Sequence, residues 1–151
     1  MKKYLIPLFF LLLPVLAFAQ TAAELEAILG TGELSCGQAA RFVRASVRDG
    51  VASDSVSPYA DFDEAMANRW FPKKTSANES ITLGKLSFLM MRAFNIKGGM
   101  MYAAFPGPRY AFRSMVSHSY IQGVSDPAMK VSGERFLQIL GRVLSSTGEE
   151  I

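Results

Sequence analysis

Two segments of the chain space their apolar residues in the same way. From Thr82 they fall at Leu86, Leu89, Met90, Ala93 and Phe94, and from Ser132 at Phe136, Ile139, Leu140, Val143 and Leu144. Both series run i, i+3, i+4, i+7, i+8, which is the stripe of an amphipathic helix with one face turned to a core. Thr82 and Ser132 stand where a hydroxyl can accept a hydrogen bond from a free N–H at a helix start. Ile81 and Val131 come just before them, where an apolar side chain fixes the entry angle. Arg92 and Arg142 hold the same place in each helix. A weaker third stripe follows Leu34 and the cap Ser35, through Ala39, Phe42, Val43, Ser46 and Val47. The caps are 47 and 50 residues apart, the near-constant period of stacked supersecondary units.

Each capped helix is expected to have a partner before it. Residues Pro108 to Gly123 offer one, with Pro108 in the first turn and Gly123 as the stop. Tyr59 to Phe71 offer a second, stopped by Pro72, and Ala22 to Gly30 a third. Gly98-Gly99 is expected to end the second capped helix, and Met100 to Phe105 to form a short extended piece or a loop on the core. The pattern predicts an all-α fold of three helix–loop–helix units around a common core, since one such hairpin cannot bury its apolar face alone. The single domain is expected over 20–146, with a frayed polar tail at 147–151.

The third unit resembles a surface-layer homology (SLH) repeat. Tyr110-Ala111 matches the aromatic-alanine pair that opens that family's first helix. Ile121-Gln122-Gly123 matches its helix end, Asp126 its aspartate loop, and Val131-Ser132 the start of its second helix. In the second unit Ile81-Thr82 matches the same start and Trp70-Phe71 fills the helix-end place; in the first only Leu34-Ser35 and the stripe match. The resemblance implies three SLH-like repeats and attachment to an anionic cell-wall polymer. That family often carries Thr-Arg-Ala-Glu at the capped helix, its arginine helping to hold the polymer. Here Leu83 and Gly133 stand in the arginine place, and Lys85 and Arg135 in the glutamate place.

Composition refines this picture. Lys2 and Lys3, an apolar run of 14 residues from Leu5 to Phe18, and Ala17-Phe18-Ala19 read as a secretory signal peptide over 1–19. The run is shorter than the roughly 18–20 residues that span a bilayer, so no transmembrane segment is expected in the mature chain. Without Lys2 and Lys3 the 16 basic residues become 14, against 13 acidic. That slight excess gives no support for nucleic-acid binding. Cys36 is the single cysteine, so no intramolecular disulfide forms. It reads as a small buried apolar residue or as a reactive thiol.

Chemistry is sparse. His118 is the one histidine and has no His, Cys or carboxylate at ligand spacing, so no metal site, cofactor or catalytic residue is expected. Asp61, Asp63 and Glu64 read as a solvated helix start rather than a calcium loop. Cations with nearby aromatics suit an anionic glycan or a peptide carboxylate. The candidate ligand-binding residues are Arg109, Tyr110, Arg113, Lys85 and Arg135. The expected function is an exported, non-catalytic envelope module, periplasmic or at the cell surface, that binds cell-wall polymer, peptidoglycan or an envelope protein. An assembly subunit working through a Met-rich surface (Met90, Met91, Met100, Met101) is the alternative, and a small hydrolase built on Cys36 and His118 a third reading.

Overall fold

The computed structural model describes residues 22–47 and 59–148 of the chain. The expected signal peptide and residues 149–151 of the expected tail lie outside them. All regular structure among the described residues is helical: α1 (residues 22–29), α2 (Cys36–Val47), α3 (Ala60–Ala67), α4 (Leu83–Ala93), α5 (Met100–Ala104), α6 (Pro108–Ser117) and α7 (Gly133–Gly148). None is long and apolar enough to cross a membrane.

The caps form as their residue types dictate. Thr82 Oγ1 accepts from the Lys85 N–H at 3.4 Å, and Ser132 Oγ from the Arg135 N–H at 3.3 Å. Ser35 makes a reciprocal capping box: its Oγ accepts from the Gln38 N–H, and Gln38 Oε1 accepts from the Ser35 N–H. The residues just before these caps meet on one axis. The N–H of Leu34 donates to the carbonyl of Val131 at 2.8 Å, that of Val131 to Ile81 at 3.1 Å, and that of Ile81 to Leu34 at 2.8 Å, closing a three-membered ring of backbone hydrogen bonds. Two residues further along, a second cycle runs the other way. Cys36, Leu83 and Gly133 donate to the carbonyls of Glu79, Met129 and Thr31, so the first free amide of each capped helix is taken by a neighbouring segment. One residue back, Glu33 Oε2 accepts from both Ser80 Oγ and Lys130 Nζ, each at 2.7 Å. These two donors hold the Glu33 carboxyl below its ordinary value.

From this axis α2, α4 and α7 carry their stripes into one core. Ala39, Val43, Leu86, Leu89, Met90, Phe136, Ile139 and Val143 are all buried, the larger side chains contributing roughly 1.5–3 kcal/mol each. Phe42 and Phe136 join α2 to α7 edge to face, with centroids 6.2 Å apart. The partner helices differ from the expected pairing: α3 packs against α2 and α6 against α4, each on the capped helix that precedes it. Arg44 ties the first of these pairs. Its Nη1 donates to Asp61 Oδ1 at 2.6 Å and its Nη2 pairs with Glu64, with only 4% of the arginine side chain exposed. The expectation of a solvated acidic helix start is therefore corrected at Asp61, which is buried because Arg44 neutralises it; Asp63 is exposed. Removing one partner of such a buried pair costs about 3–5 kcal/mol, so this pair holds α3 in register.

Helix ends also differ from expectation. α3, α4 and α6 are followed by Arg69, Asn95 and Ser119 with φ of 57°, 52° and 62°. The N–H of Trp70 reaches back to Ala65, that of Ile96 to Met91 and that of Tyr120 to Met115, which terminates each helix at once. The helices thus stop before Pro72, Gly98-Gly99 and Gly123, the breakers that the sequence offers. Met100 to Ala104 form the short helix α5 rather than an extended piece or loop, and α7 continues through Thr147 and Gly148 of the expected tail.

Two glycines of α7 have opposite requirements. At Gly133 an added Cβ would run into the backbone carbonyl of Ile28, because α1 closes on the start of α7 there; at Gly141 nothing lies within 4 Å. Gly133→Ala is expected to destabilise by more than about 2 kcal/mol, and Gly141→Ala to stabilise by about 1 kcal/mol. Urea denaturation of both variants checks this contrast of sign.

Candidate functional site

An open cleft of about 600 Å³ lies between the N-terminal ends of α4 and α6 and the loop at Asp126–Ala128. α6 begins at Pro108, whose fixed φ suits the first turn, and its N-cap Gly107 supplies no side-chain cap. The N–H groups of Arg109 and Tyr110 precede the first intrahelical bond, from Ala111 to Gly107. Arg109 and Arg113 are four residues apart, so both project on one face of the helix, over the buried ring of Phe112. Lys85 enters from the first turn of α4. Asp126 lies on the third wall, where its Oδ1 accepts from the Ala128 N–H at 2.8 Å and shapes the loop.

The cleft is cationic. Lys85 is shared with Glu79, whose Oε1 accepts from Nζ at 2.7 Å. That hydrogen bond, with a further one from the Ser76 N–H, holds the Glu79 carboxyl below its ordinary value against the opposing effect of burial. Arg109 and Arg113 are exposed and make no ion pair among the described residues. The wider charge pattern reinforces them. Between Glu79 and Asp126 the chain carries no aspartate or glutamate, yet it carries Lys85, Arg92, Lys97, Arg109 and Arg113. This run was the missed signal in the sequence: it marks one stretch of the molecule as uniformly positive, whereas the chain's net charge averages it away.

Of the candidate residues, the structure gathers Lys85, Arg109 and Arg113 in the cleft. Tyr110 is half-buried and lies outside the lining, because it sits one residue round the helix from Arg109. Arg135 is also outside it, pinned across the 122–124 loop with Nη2 donating to the Val124 carbonyl at 3.1 Å. Thr82, Phe112 and Asp126 also line the cleft and were not among the candidates. The places where the SLH family often has arginine are closed here, since Leu83 is fully buried and Gly133 has no room for a side chain.

A second groove of about 550 Å³ runs between the end of α6 and α7. His118 stacks on Tyr120 with centroids 5.7 Å apart and planes 7° from parallel, and its Nδ1 donates to the Ser114 carbonyl at 2.7 Å. Tyr120 is fixed in turn by Ser146 on its hydroxyl and by Arg142 on its carbonyl. Cys36 is fully buried at the start of α2, and its thiol is pushed up to about 12 by burial first and Glu79 second. Both effects disfavour the thiolate that nucleophilic chemistry needs.

No protein-family model, no curated protein and no solved structure matches the chain.

The Glu79–Lys85 pair at the rim gives the cleft a pH signature. A carboxylate with a depressed value contributes stability above its ordinary value of 4.5 and loses it as pH falls through the lower folded value. Glu79→Gln is therefore expected to reduce the loss of stability on acidification from neutral pH, read as the change in urea midpoint. An acid loss equal to that of the wild type would contradict the assignment.

Proposed function

We propose that this chain is an exported, non-catalytic envelope module, a divergent relative of the SLH repeats, that binds an anionic cell-wall polymer in the cleft between α4 and α6. The observation that carries this reading is the convergence of Arg109, Arg113 and Lys85 on one open cleft within an acid-free stretch of chain. Two guanidinium groups with no ion pair among the described residues, beside a helix start without a side-chain cap, form a site that favours spaced negative charges on a flexible chain. Asp126 limits the charge of the cleft and offers an acceptor for a sugar hydroxyl. Export rests on the segment from Lys2 to Ala19, and the relation to the family on the three capped helices and the matches around Ile81-Thr82 and Val131-Ser132.

The assembly reading has one observation in its favour, the exposure of Met100 and Met101; Met90 and Met91 lie in the core and contribute nothing to a surface.

Cosedimentation with purified cell-wall sacculi tests the proposal. Wild-type protein is expected to pellet with sacculi that carry their anionic polymers, and to remain in solution with sacculi stripped of them. The double variant Arg109→Ala/Arg113→Ala is expected to bind about tenfold more weakly or worse. Wild-type protein that stays in the supernatant, or a double variant that pellets equally well, would contradict it.

A further inference from the structure

The short helix α5 has a packed side and an open side. One side is strapped down. The Gly99 N–H donates to Ser114 Oγ of α6 at 3.3 Å, and the Tyr102 ring meets Phe88 of α4 edge to face at 6.5 Å. The other side is apolar and open: Met100 is 89% exposed, Phe105 65% and Met101 51%. Ala103, Ala104 and Pro106 between and beside them are exposed too. Leaving such side chains in water forgoes the burial that orders the rest of the molecule. Neither described groove includes any residue of α5.

The surroundings say what covers it. Lys97 lies just before α5, and Arg92 lies beside Tyr102, its guanidinium 5.6 Å from the Phe88 ring centre. Arg109 and Arg113 follow on α6, against which α5 packs. No carboxylate occurs from Ser80 to Ser125. A protein partner's surface ordinarily mixes both signs of charge with hydrogen-bonding groups around an apolar centre. Here flexible methionines and a phenylalanine project beside Arg92 and Lys97, with no carboxylate in the surrounding stretch of chain. That is the pattern of an interfacial anchor, with apolar side chains entering the acyl boundary while lysine and arginine meet lipid phosphates.

We propose that α5 docks this chain on an anionic phospholipid surface, with Met100, Met101 and Phe105 inserted below the headgroups and Arg92 and Lys97 paired with phosphate. This contact is separate from polymer binding, which uses Arg109, Arg113 and Lys85 in a cleft that no residue of α5 lines. A chain held at a membrane by α5 still presents the cleft between α4 and α6.

The test uses the full chain with its readout on α5, because residues 5–18 are themselves apolar and would bring the protein to lipid by another route. Ala104→Cys, labelled with an environment-sensitive fluorophore, reports the site directly, while the buried Cys36 stays unlabelled in the folded protein. With vesicles of phosphatidylcholine and phosphatidylglycerol the emission is expected to rise several-fold and to fall again with salt; with phosphatidylcholine alone it stays near its value in buffer. Lys97→Glu in the labelled chain weakens the response about tenfold. Met100→Ser/Phe105→Ser abolishes it, while cosedimentation with polymer-bearing sacculi is unchanged, so failure here and failure of the polymer reading are separable. Unchanged emission on anionic vesicles, an equal rise on neutral ones, or a rise only when an acidic protein partner is supplied would overturn the proposal.

Discussion

Leu34, Ile81 and Val131 are fully buried, and a peptide group taken out of water must find a partner or cost about 1–3 kcal/mol. No strand is available to supply one among the described residues. The three groups satisfy each other instead, each donating to one neighbour and accepting from the other. This closed exchange brings together residues nearly a hundred positions apart and makes α2, α4 and α7 start from one point. Their stripes then face a shared interior, and their first free amides are taken by adjacent segments. The cleft between α4 and α6 follows from the same constraint, because Gly84 must come close enough for its N–H to bond the Pro127 carbonyl, and the loop bearing Asp126 then forms a wall.

Much of this architecture was legible in the sequence for a physical reason. A helix with one buried face writes its period into the chain, and Ser35, Thr82 and Ser132 mark the starts by their hydroxyls. The buried set Leu86, Leu89, Phe136 and Ile139 follows from that period alone. The remainder depends on information that is not local. Arg69 and Ser119 end helices in the left-handed region although their residue types do not favour it, whereas Asn95 is of a type that does and was overshadowed by Gly98-Gly99. Arg44 and Asp61 are 17 residues apart and find each other only once α3 lies on α2. A helix of five residues such as α5 is too short to show a period at all.

The candidate site was legible in the same uneven way. Arg109 and Arg113 could be placed together because helical spacing puts them on one face, and Lys85 because a cap fixes the first turn of α4. Tyr110 and Arg135 could not be sorted from them in advance. The angle of α6 against α4 decides which residues of the first turn meet the cleft, and Arg135 is drawn off by loop carbonyls that the sequence does not announce. The positions that would mirror the polymer-holding arginine of SLH repeats are occupied by packing needs at Leu83 and Gly133. Positive charge has instead gathered on the side of α4, α5 and α6, where carboxylates are missing from the chain.

The ring of Leu34, Ile81 and Val131 is the most direct target for measurement. Native-state hydrogen exchange of these three amides across a range of denaturant reports whether they open singly or only when the whole domain opens. A ring that opens only as one unit requires all three to exchange with one common free energy equal to that of global unfolding, and with the same denaturant dependence. Exchange of any one of them through a low-energy, denaturant-independent opening, while the other two stay protected, would contradict it.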